Sequence, residues 1–202
     1  MAQVSERYDM GSSSSALASG YDRVTPSTTF AAANGHGWLS GSTVFDSVRG
    51  GLETNMQHTQ DPSLVTDLNY ALEAVTFRSR VGRGRFYCVV YLGEPGDSTT
   101  GDPGLPLNNI NVNVNGQAVV TGDSSYLVAT KASFHLNHGS TKRRCFLAAA
   151  NRNGDLDFQF IGSHSEPASV LGVEIYSYDA PPISFNHSTN KLESLTTTDA
   201  NL

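Results

Sequence analysis

Tyrosines at strand-like spacing are the residues of this chain best suited to bind a ligand. Tyr87 and Tyr91 lie four residues apart, and Tyr176 and Tyr178 lie two apart, so each pair falls on one side of an extended strand. Tyrosine rings stack on the C–H surface of a sugar, and the hydroxyl adds a polar contact. The pattern predicts a sugar-binding surface; tyrosines that pack beneath the connection 39–60 or pair across strands are the open alternative.

Charged residues near these strands could bind the hydroxyl or acidic groups of a sugar. Arg78 and Glu174 are candidates for the hydroxyl contacts. Arg143 belongs to the basic run 142–144. This run is interpreted by default as a solvated loop, and a contact to an acidic sugar is the alternative. A second basic cluster surrounds a predicted turn and consists of Arg80, Arg83 and Arg85. In an acidic protein both clusters are local features and not a nucleic-acid interface.

Two further aromatic candidates lie in the glycine-rich stretch 35–38. Trp38 is the only tryptophan and is a candidate platform at a loop tip or a core residue. His36 is a ligand candidate because it lies beside Trp38, although a structural or solvent-exposed histidine fits the sequence as well.

The sequence contains no recognisable catalytic centre, and we expect no enzyme activity from this chain alone. The Gly-Ser-His-Ser stretch 162–165 lacks the nucleophile-elbow pattern of hydrolases. The stretch 151–157 mimics the alternating oxygen ligands of a calcium loop but lacks the distal glutamate. A β-turn explains it equally well.

The composition of the chain argues against two classes of function, nucleic-acid binding and insertion into a membrane. The chain has 202 residues, a formal net charge of −6 and 38% hydrophobic residues. An acidic balance argues against binding to a phosphate backbone, and no apolar run is long enough to span a bilayer. Residues 1–20 do not resemble a signal peptide, which leaves the compartment open because an excised domain would look the same.

Alternating apolar residues predict the strands. The segment 75–94 has period-2 patterning on both sides of Gly82 and Gly84, which predicts a central hairpin with one apolar face. Two Asn-Gly pairs, 115–116 and 153–154, predict two more hairpins with type I′ turns.

Further strands are expected over 126–136 and 170–178, and one helical turn is expected from Pro62. The fold class predicted is an all-β, two-sheet antiparallel β-sandwich over residues 1–180, with 181–202 as a linker or flexible tail. Cys88 falls on the apolar side of its strand and is expected to be a free buried thiol.

Several motifs in order resemble the galactose-binding-like jelly-roll modules, related to malectin, that are attached to bacterial polysaccharide-degrading enzymes and surface proteins. The motifs are Tyr8-Asp9-Met10-Gly11, Gly20-Tyr21-x-x-Val24, Gly35-His36-Gly37-Trp38, Thr76-Phe77-Arg78, Phe86-Tyr87-Cys88-Val89-Val90-Tyr91-Leu92-Gly93-Glu94, Val112-Asn113-Val114-Asn115-Gly116, Leu156-Asp157-Phe158 and Gly172-Val173-Glu174-Ile175. The chain departs from the family pattern at His36, at Glu94 and in the turn 81–84.

The resemblance implies a non-catalytic carbohydrate-binding module that targets a larger protein, which could include a fused catalytic domain, to a polysaccharide. It implies an extracellular or cell-surface location, and one structural Ca²⁺ with Asp9 and Glu174 as candidate ligands. It also favours Trp38 as the plug at one end of the sandwich. The alternatives are a structural or adhesive β-sandwich of an extracellular protein without its own sugar site and, more weakly, a lyase or esterase component.

Overall fold

Two β-sheets lie face to face in the computed structural model, which describes residues 4–48, 62–65, 67–93, 110–123, 142–162, 167–178, 183–186 and 191–194. The strands are β1 (Val4–Met10), β2 (Asp22–Val24), β3 (His36–Trp38), β4 (Phe45–Val48), β5 (Asp67–Ala71), β6 (Val75–Arg80), β7 (Arg85–Leu92), β8 (Ile110–Val114), β9 (Gln117–Asp123), β10 (Lys142–Ala149), β11 (Asp155–Ile161), β12 (Ala168–Ser177), β13 (Ile183–Asn186) and β14 (Lys191–Ser194). Pro62–Val65 forms the single 3₁₀ turn expected from the proline.

The larger sheet has seven strands among the described residues, in the order β10-β7-β12-β1-β2, with β5 pairing with β12 and β4 with β5. The smaller sheet has five, in the order β3-β6-β11-β8-β9. The pairs are antiparallel except β1 with β2, which run parallel. This arrangement confirms the prediction of an all-β sandwich.

Apolar side chains from both sheets meet between the layers. Alternate residues of β7, from Phe86 to Leu92, face aromatic residues of the smaller sheet such as Phe77 and Phe158. Trp38 is 2% exposed and packs edge-on against Phe77, which confirms its expected place in the core. Burial of this apolar surface is the main source of stability for such a sandwich.

The predicted central hairpin is wrong. β6 pairs with β3 and β11 in the smaller sheet, whereas β7 pairs with β10 and β12 in the larger sheet. The turn between them, with Gly82 and Gly84 at positive φ of 85° and 148°, carries the chain from one layer to the other. Alternation specifies which side of a strand is buried, but it does not specify the neighbouring strand.

Of the two hairpins predicted from Asn-Gly pairs, one forms and one does not, because a turn signal does not specify which strands pair. Asn115 and Gly116 have φ of 49° and 81° and connect the paired strands β8 and β9, as expected for a type I′ hairpin. The second pair connects β10 to β11, which belong to different sheets, and only Gly154 has positive φ. Its turn is closed by the side chain of Asn151, whose Oδ1 accepts from the backbone amides of Asn153 and Asp155.

Some predictions fall partly or wholly outside the described residues. The strand over 126–136 lies entirely outside them, as do most of the connection 39–60 and most of the stretch 162–165. In the segment 181–202, the described strands β13 and β14 pair with each other, and its assignment as a linker stays a prediction. Within the described part of the chain, no helix is both long enough and apolar enough to cross a membrane.

Both cysteines are free thiols, with Cys88 buried and Cys145 exposed. Burial raises the pKa of Cys88 to about 12, so this thiol reacts only when the chain unfolds. We therefore expect a disulfide reagent to modify one thiol per native chain and two in denaturant. A Cys145→Ser variant is the matched control and should show no native reaction; rapid modification of Cys88 in that variant would contradict the buried position.

Candidate functional site

The larger sheet is packed on both faces, and its outer face holds most of the residues predicted to bind a ligand. On β7, Tyr87, Val89 and Tyr91 point away from the smaller sheet and belong to a second apolar cluster. Strand register sets Glu174 of β12 beside Val89, and Arg7 of β1 beside Glu174. These positions bring side chains from three strands into one outer-face cluster.

Glu174 is the centre of that cluster. Its side chain is 3% exposed, and its two oxygens accept three tyrosine hydroxyls. Tyr176 Oη donates to Oε2 over 2.6 Å, Tyr91 Oη donates to Oε1 over 3.2 Å, and Tyr21 Oη donates to Oε1. Burying a carboxyl group costs free energy unless hydrogen bonds replace those it made to water, and the three hydroxyls supply these hydrogen bonds.

Two arginines complete the electrostatics of the cluster. The guanidinium carbon of Arg7 lies 5.6 Å from the centre of the Tyr21 ring, within the range of a cation–π contact. Arg143 of β10 lies opposite Tyr91 in the sheet. Burial raises the pKa of Tyr91 well above its ordinary value, with the negative charge of Glu174 adding to the shift and Arg143 opposing it. The same two causes, burial first, raise the pKa of Tyr176.

The segment from Ser12 to Tyr21 lies over this cluster and is fastened by two buried carboxylates. Asp9 Oδ2 accepts from the amide of Ala18 over 2.8 Å, and Asp67 Oδ2 accepts from the amide of Ser12 over 2.7 Å. Ala18 is buried in the second apolar cluster. Tyr91 and Tyr176 are therefore each only 4% exposed, and their rings offer no open face to a sugar.

The 3₁₀ turn covers the neighbouring part of the same face. Leu64 is fully buried in the second cluster and lies directly over Gly172 of β12. A Cβ atom at position 172 would lie 2.8 Å from Leu64 Cδ1 and 3.0 Å from the carbonyl oxygen of Tyr8. Only glycine allows this close approach.

One aromatic pair on the outer face is only partly covered, since Tyr178 is exposed and Tyr87 is half-buried. The rings of Tyr87 and Tyr178 are stacked, with centres 5.4 Å apart and planes at 18°. Tyr178 is 46% exposed, and Leu147, which lies beside Tyr87 in the sheet, is 51% exposed. We call Tyr87, Tyr178 and Leu147 the tyrosine platform. It lies at the end of β7 and β12, beyond the cover described above.

Three of the predicted ligand residues lie elsewhere. Arg78 is on the smaller sheet and holds Asp157 through two hydrogen bonds of 2.6 and 2.7 Å. Trp38 is in the core, where its Nε1 donates to the Thr25 carbonyl. His36 packs on the ring of Tyr8, with ring centres 4.8 Å apart. The structure does not bring these three residues together with the outer-face tyrosines.

Asp9 and Glu174, the residues expected to bind calcium, are engaged in hydrogen bonds within the protein. Both Glu174 oxygens accept tyrosine hydroxyls, and Asp9 Oδ2 accepts the backbone amide of Ala18. Among the described residues there is also no group of three or more His, Cys, Asp or Glu that could hold a metal. The calcium site stays a prediction.

Sequence reasoning missed two residues of this face, Arg7 and Tyr21, as site members, whereas Tyr178 was among the tyrosines predicted to bind a ligand. Arg7 follows the alternation of its strand, so that signal was present. Tyr21 lies after a loop, and no periodic pattern connects it with Glu174, which is 153 positions further along the chain.

Comparison with solved structures shows the fold. The chain is similar to the Bacillus subtilis protein YXIM (TM-score 0.57, 16% identity, 85% of this chain and 39% of that one) and to the ANX2 ectodomain from Arabidopsis thaliana (TM-score 0.56, 12% identity, 85% and 41%). It is also similar to a calcium-binding mutant of β-glucuronidase 2 from Bacteroides uniformis (TM-score 0.54, 15% identity, 85% and 18%).

The fold of this chain is thus similar to that of parts of a β-glucuronidase and of a plant ectodomain. The chain spans less than half the length of each of these proteins, and at such identities the likeness concerns the fold alone. No protein-family model and no curated protein matches the chain.

The raised tyrosine pKa values predict an alkaline limit to stability. Above their ordinary pKa of 10.0, Tyr91 and Tyr176 lose protons in the unfolded chain but keep them in the folded one. The unfolded state then binds fewer protons, so the free energy of unfolding falls as pH rises past about 10. Denaturant titrations at several pH values, with tyrosinate absorbance as a second signal, measure this. Normal titration of all tyrosines in a still-folded chain would contradict it.

We expect removal of the Glu174 carboxylate to lower the stability of the protein strongly. Glu174→Ala leaves three tyrosine hydroxyls without their acceptor in an apolar cluster, which costs about 3 kcal/mol or more in the free energy of unfolding. Glu73→Ala is the matched control because Glu73 is exposed, and it should change stability by less than about 0.5 kcal/mol. Equal effects of the two substitutions in urea titrations would show that the cluster contributes little.

Proposed function

We propose that this chain is a non-catalytic carbohydrate-binding module whose sugar site is the tyrosine platform. The observation that carries the proposal is the exposed ring of Tyr178, which is stacked on the half-buried ring of Tyr87 at the end of the larger sheet. A ring braced in this way by a neighbour on a strand offers a flat, apolar and rigid surface, which matches the C–H face of a pyranose ring. The rings lose little conformational entropy on binding because they are already fixed.

The buried outer-face residues act in this proposal as the support of the platform. Tyr176 lies opposite Tyr87 on the neighbouring strand, and its hydroxyl is fixed by Glu174. The backbone amide of Tyr178 donates to the carbonyl of Arg85 over 3.0 Å, which fixes the start of the turn. Tyr87 and Tyr178 are the predicted residues kept in the site, and Leu147 is added to it.

A module of this kind increases the local concentration of an attached protein on a polysaccharide. Because the effect depends on effective concentration, weak affinity at one site is sufficient. The partners proposed are a polysaccharide and the rest of a longer protein, in an extracellular or cell-surface location. The similarity to domains within a β-glucuronidase and a plant ectodomain supports this proposal.

A structural or adhesive domain is the second candidate. The similarity to the ANX2 ectodomain favours it, and the exposed Leu147 would suit an apolar protein contact as well as a sugar. Under this alternative the platform binds a protein surface, and no polysaccharide retards the chain.

Affinity electrophoresis in gels that contain a panel of plant and algal polysaccharides tests the first candidate. At least one polysaccharide should retard the native chain, and Tyr178→Ala should weaken binding about tenfold, which corresponds to the loss of one stacking ring. Because Tyr178 lies at a strand end and is half exposed, its removal should leave the unfolding midpoint nearly unchanged.

Phe45→Ala is the matched control. Phe45 is 41% exposed and stacks on Tyr70, with ring centres 5.4 Å apart. This pair lies near the start of β12, at the opposite end of that strand from Tyr178. We expect this variant to bind like the native chain. Loss of binding in Phe45→Ala but not in Tyr178→Ala would move the site to the other pair, and no retardation in any gel would favour the adhesive domain.

A further inference from the structure

An arginine cluster borders the tyrosine platform. Arg85 and Tyr178 are neighbours across β7 and β12, since the amide of Tyr178 donates to the carbonyl of Arg85. Arg85 is exposed and lies two positions before Tyr87 on the same side of β7. Its guanidinium group is therefore carried on the same face as the two rings.

Two more exposed arginines lie in the adjacent turns. Arg83 precedes Arg85 by two residues, and its Nε donates to the carbonyl of Arg152 over 3.2 Å. Both residues are exposed. We call Arg83, Arg85 and Arg152 the arginine cluster.

The two turns that carry the cluster are packed rigidly together. The amides of Val81 and Gly82 both donate to the carbonyl of Gly154, over 2.9 and 3.0 Å, and the amide of Ala150 donates to the carbonyl of Gly84 over 2.9 Å. A Cβ atom at position 154 would lie 2.9 Å from the Cα of Gly82. The cluster is thus held at a fixed place beside the platform.

The charges of this cluster are not neutralised by the rest of the described chain. Asp155 and Asp157 form ion pairs with Arg78 and Arg80 on the smaller sheet. Within the described residues, no carboxylate lies within ion-pair distance of Arg83, Arg85 or Arg152. Three like charges near one another repel, and an anionic ligand relieves that repulsion.

We infer that the ligand of the tyrosine platform is an anionic polysaccharide, whose acidic groups the arginine cluster binds while the rings of Tyr87 and Tyr178 hold the sugar. This inference rests on the proposed carbohydrate-binding function and adds the substrate class. Guanidinium groups bind both carboxylate and sulfate through paired N–H donors. The shared chemistry is thus a sugar with an oxyanion, either a uronate or a sulfated residue. Because the chain carries a net charge of −6, which repels polyanions in general, we expect the cluster to bind individual acidic groups beside the rings, and binding of a phosphate backbone is an outcome that the test distinguishes.

The test compares ligands that differ only in charge. Polygalacturonate and its fully methyl-esterified form share one backbone, and dextran sulfate and dextran form a second such pair. We expect the native chain to bind the charged member of at least one pair about tenfold more tightly than the neutral one, with the difference shrinking as salt increases. Preference within the first pair identifies a uronate, and preference within the second identifies a sulfate.

Substitutions in the arginine cluster test whether the cluster causes the preference for charged polymers. Arg83→Gln, Arg85→Gln and Arg152→Gln should each weaken binding of the charged polymer up to about fivefold, and the triple variant should bind charged and neutral polymers equally. Arg80→Gln is the control with the same change in charge. Its guanidinium already pairs with Asp155 over 2.9 Å, so this variant should keep the preference.

Failure of this inference is distinguishable from failure of the proposed function. If the native chain binds charged and neutral polymers equally and Tyr178→Ala still weakens binding about tenfold, the platform is a sugar site and the anionic class is wrong. The same conclusion follows if the triple variant keeps the preference. If poly(U) binds more tightly than every polysaccharide, the inferred ligand class is overturned in favour of RNA. If no polymer binds, the proposed function fails, and the inference fails with it.

Discussion

Burial of both faces of the larger sheet is the constraint on which the rest of the structure depends. One face meets the five-stranded sheet through aromatic and aliphatic side chains, and the other is covered by the segment that includes Ala18 and by Leu64 of the 3₁₀ turn. A sheet with two buried faces cannot present a ligand site at its middle. Any contact with a large polymer is therefore displaced to the strand ends or to the other sheet.

The buried outer face explains why a charged residue lies within an apolar cluster. Glu174 extends from a central strand, where water is excluded, and the hydroxyls of Tyr21, Tyr91 and Tyr176 take the place of water. Tyr21 comes from the covering segment, so its hydrogen bond also connects that segment to the sheet. A satisfied polar network of this kind favours a single arrangement of the cover, because any other arrangement removes the hydrogen bond that Tyr21 donates to the carboxylate.

At the strand ends near Tyr178 no described segment covers the outer face of the larger sheet, so side chains there reach solvent. Tyr178 extends beyond the covered part of the sheet, and its ring is held by Tyr87 instead of by an overlying segment. The adjacent turns are held together by backbone hydrogen bonds between Val81, Gly82 and Gly154. Side chains elsewhere in these turns are therefore not needed for that contact and face solvent. A rigid backbone with exposed rings and charges is the usual basis of a recognition surface.

The sequence by itself determined several of the strands, their buried sides and the sandwich class, because alternation is a local property of each strand, but the strands Phe45–Val48 and Asp67–Ala71 were not predicted. It was sufficient to place Cys88 in the core and to identify the β8–β9 hairpin from Asn115 and Gly116, whereas the residue pattern alone left Trp38 open between a loop tip and the core. Only the tertiary structure decided which strands pair, since Val75–Arg80 and Arg85–Leu92 carry the same pattern whether they are neighbours or lie in opposite layers. It also decided which outer-face tyrosines are covered, because the residues that cover Tyr91 and Tyr176 are distant in the chain and their approach depends on long-range packing.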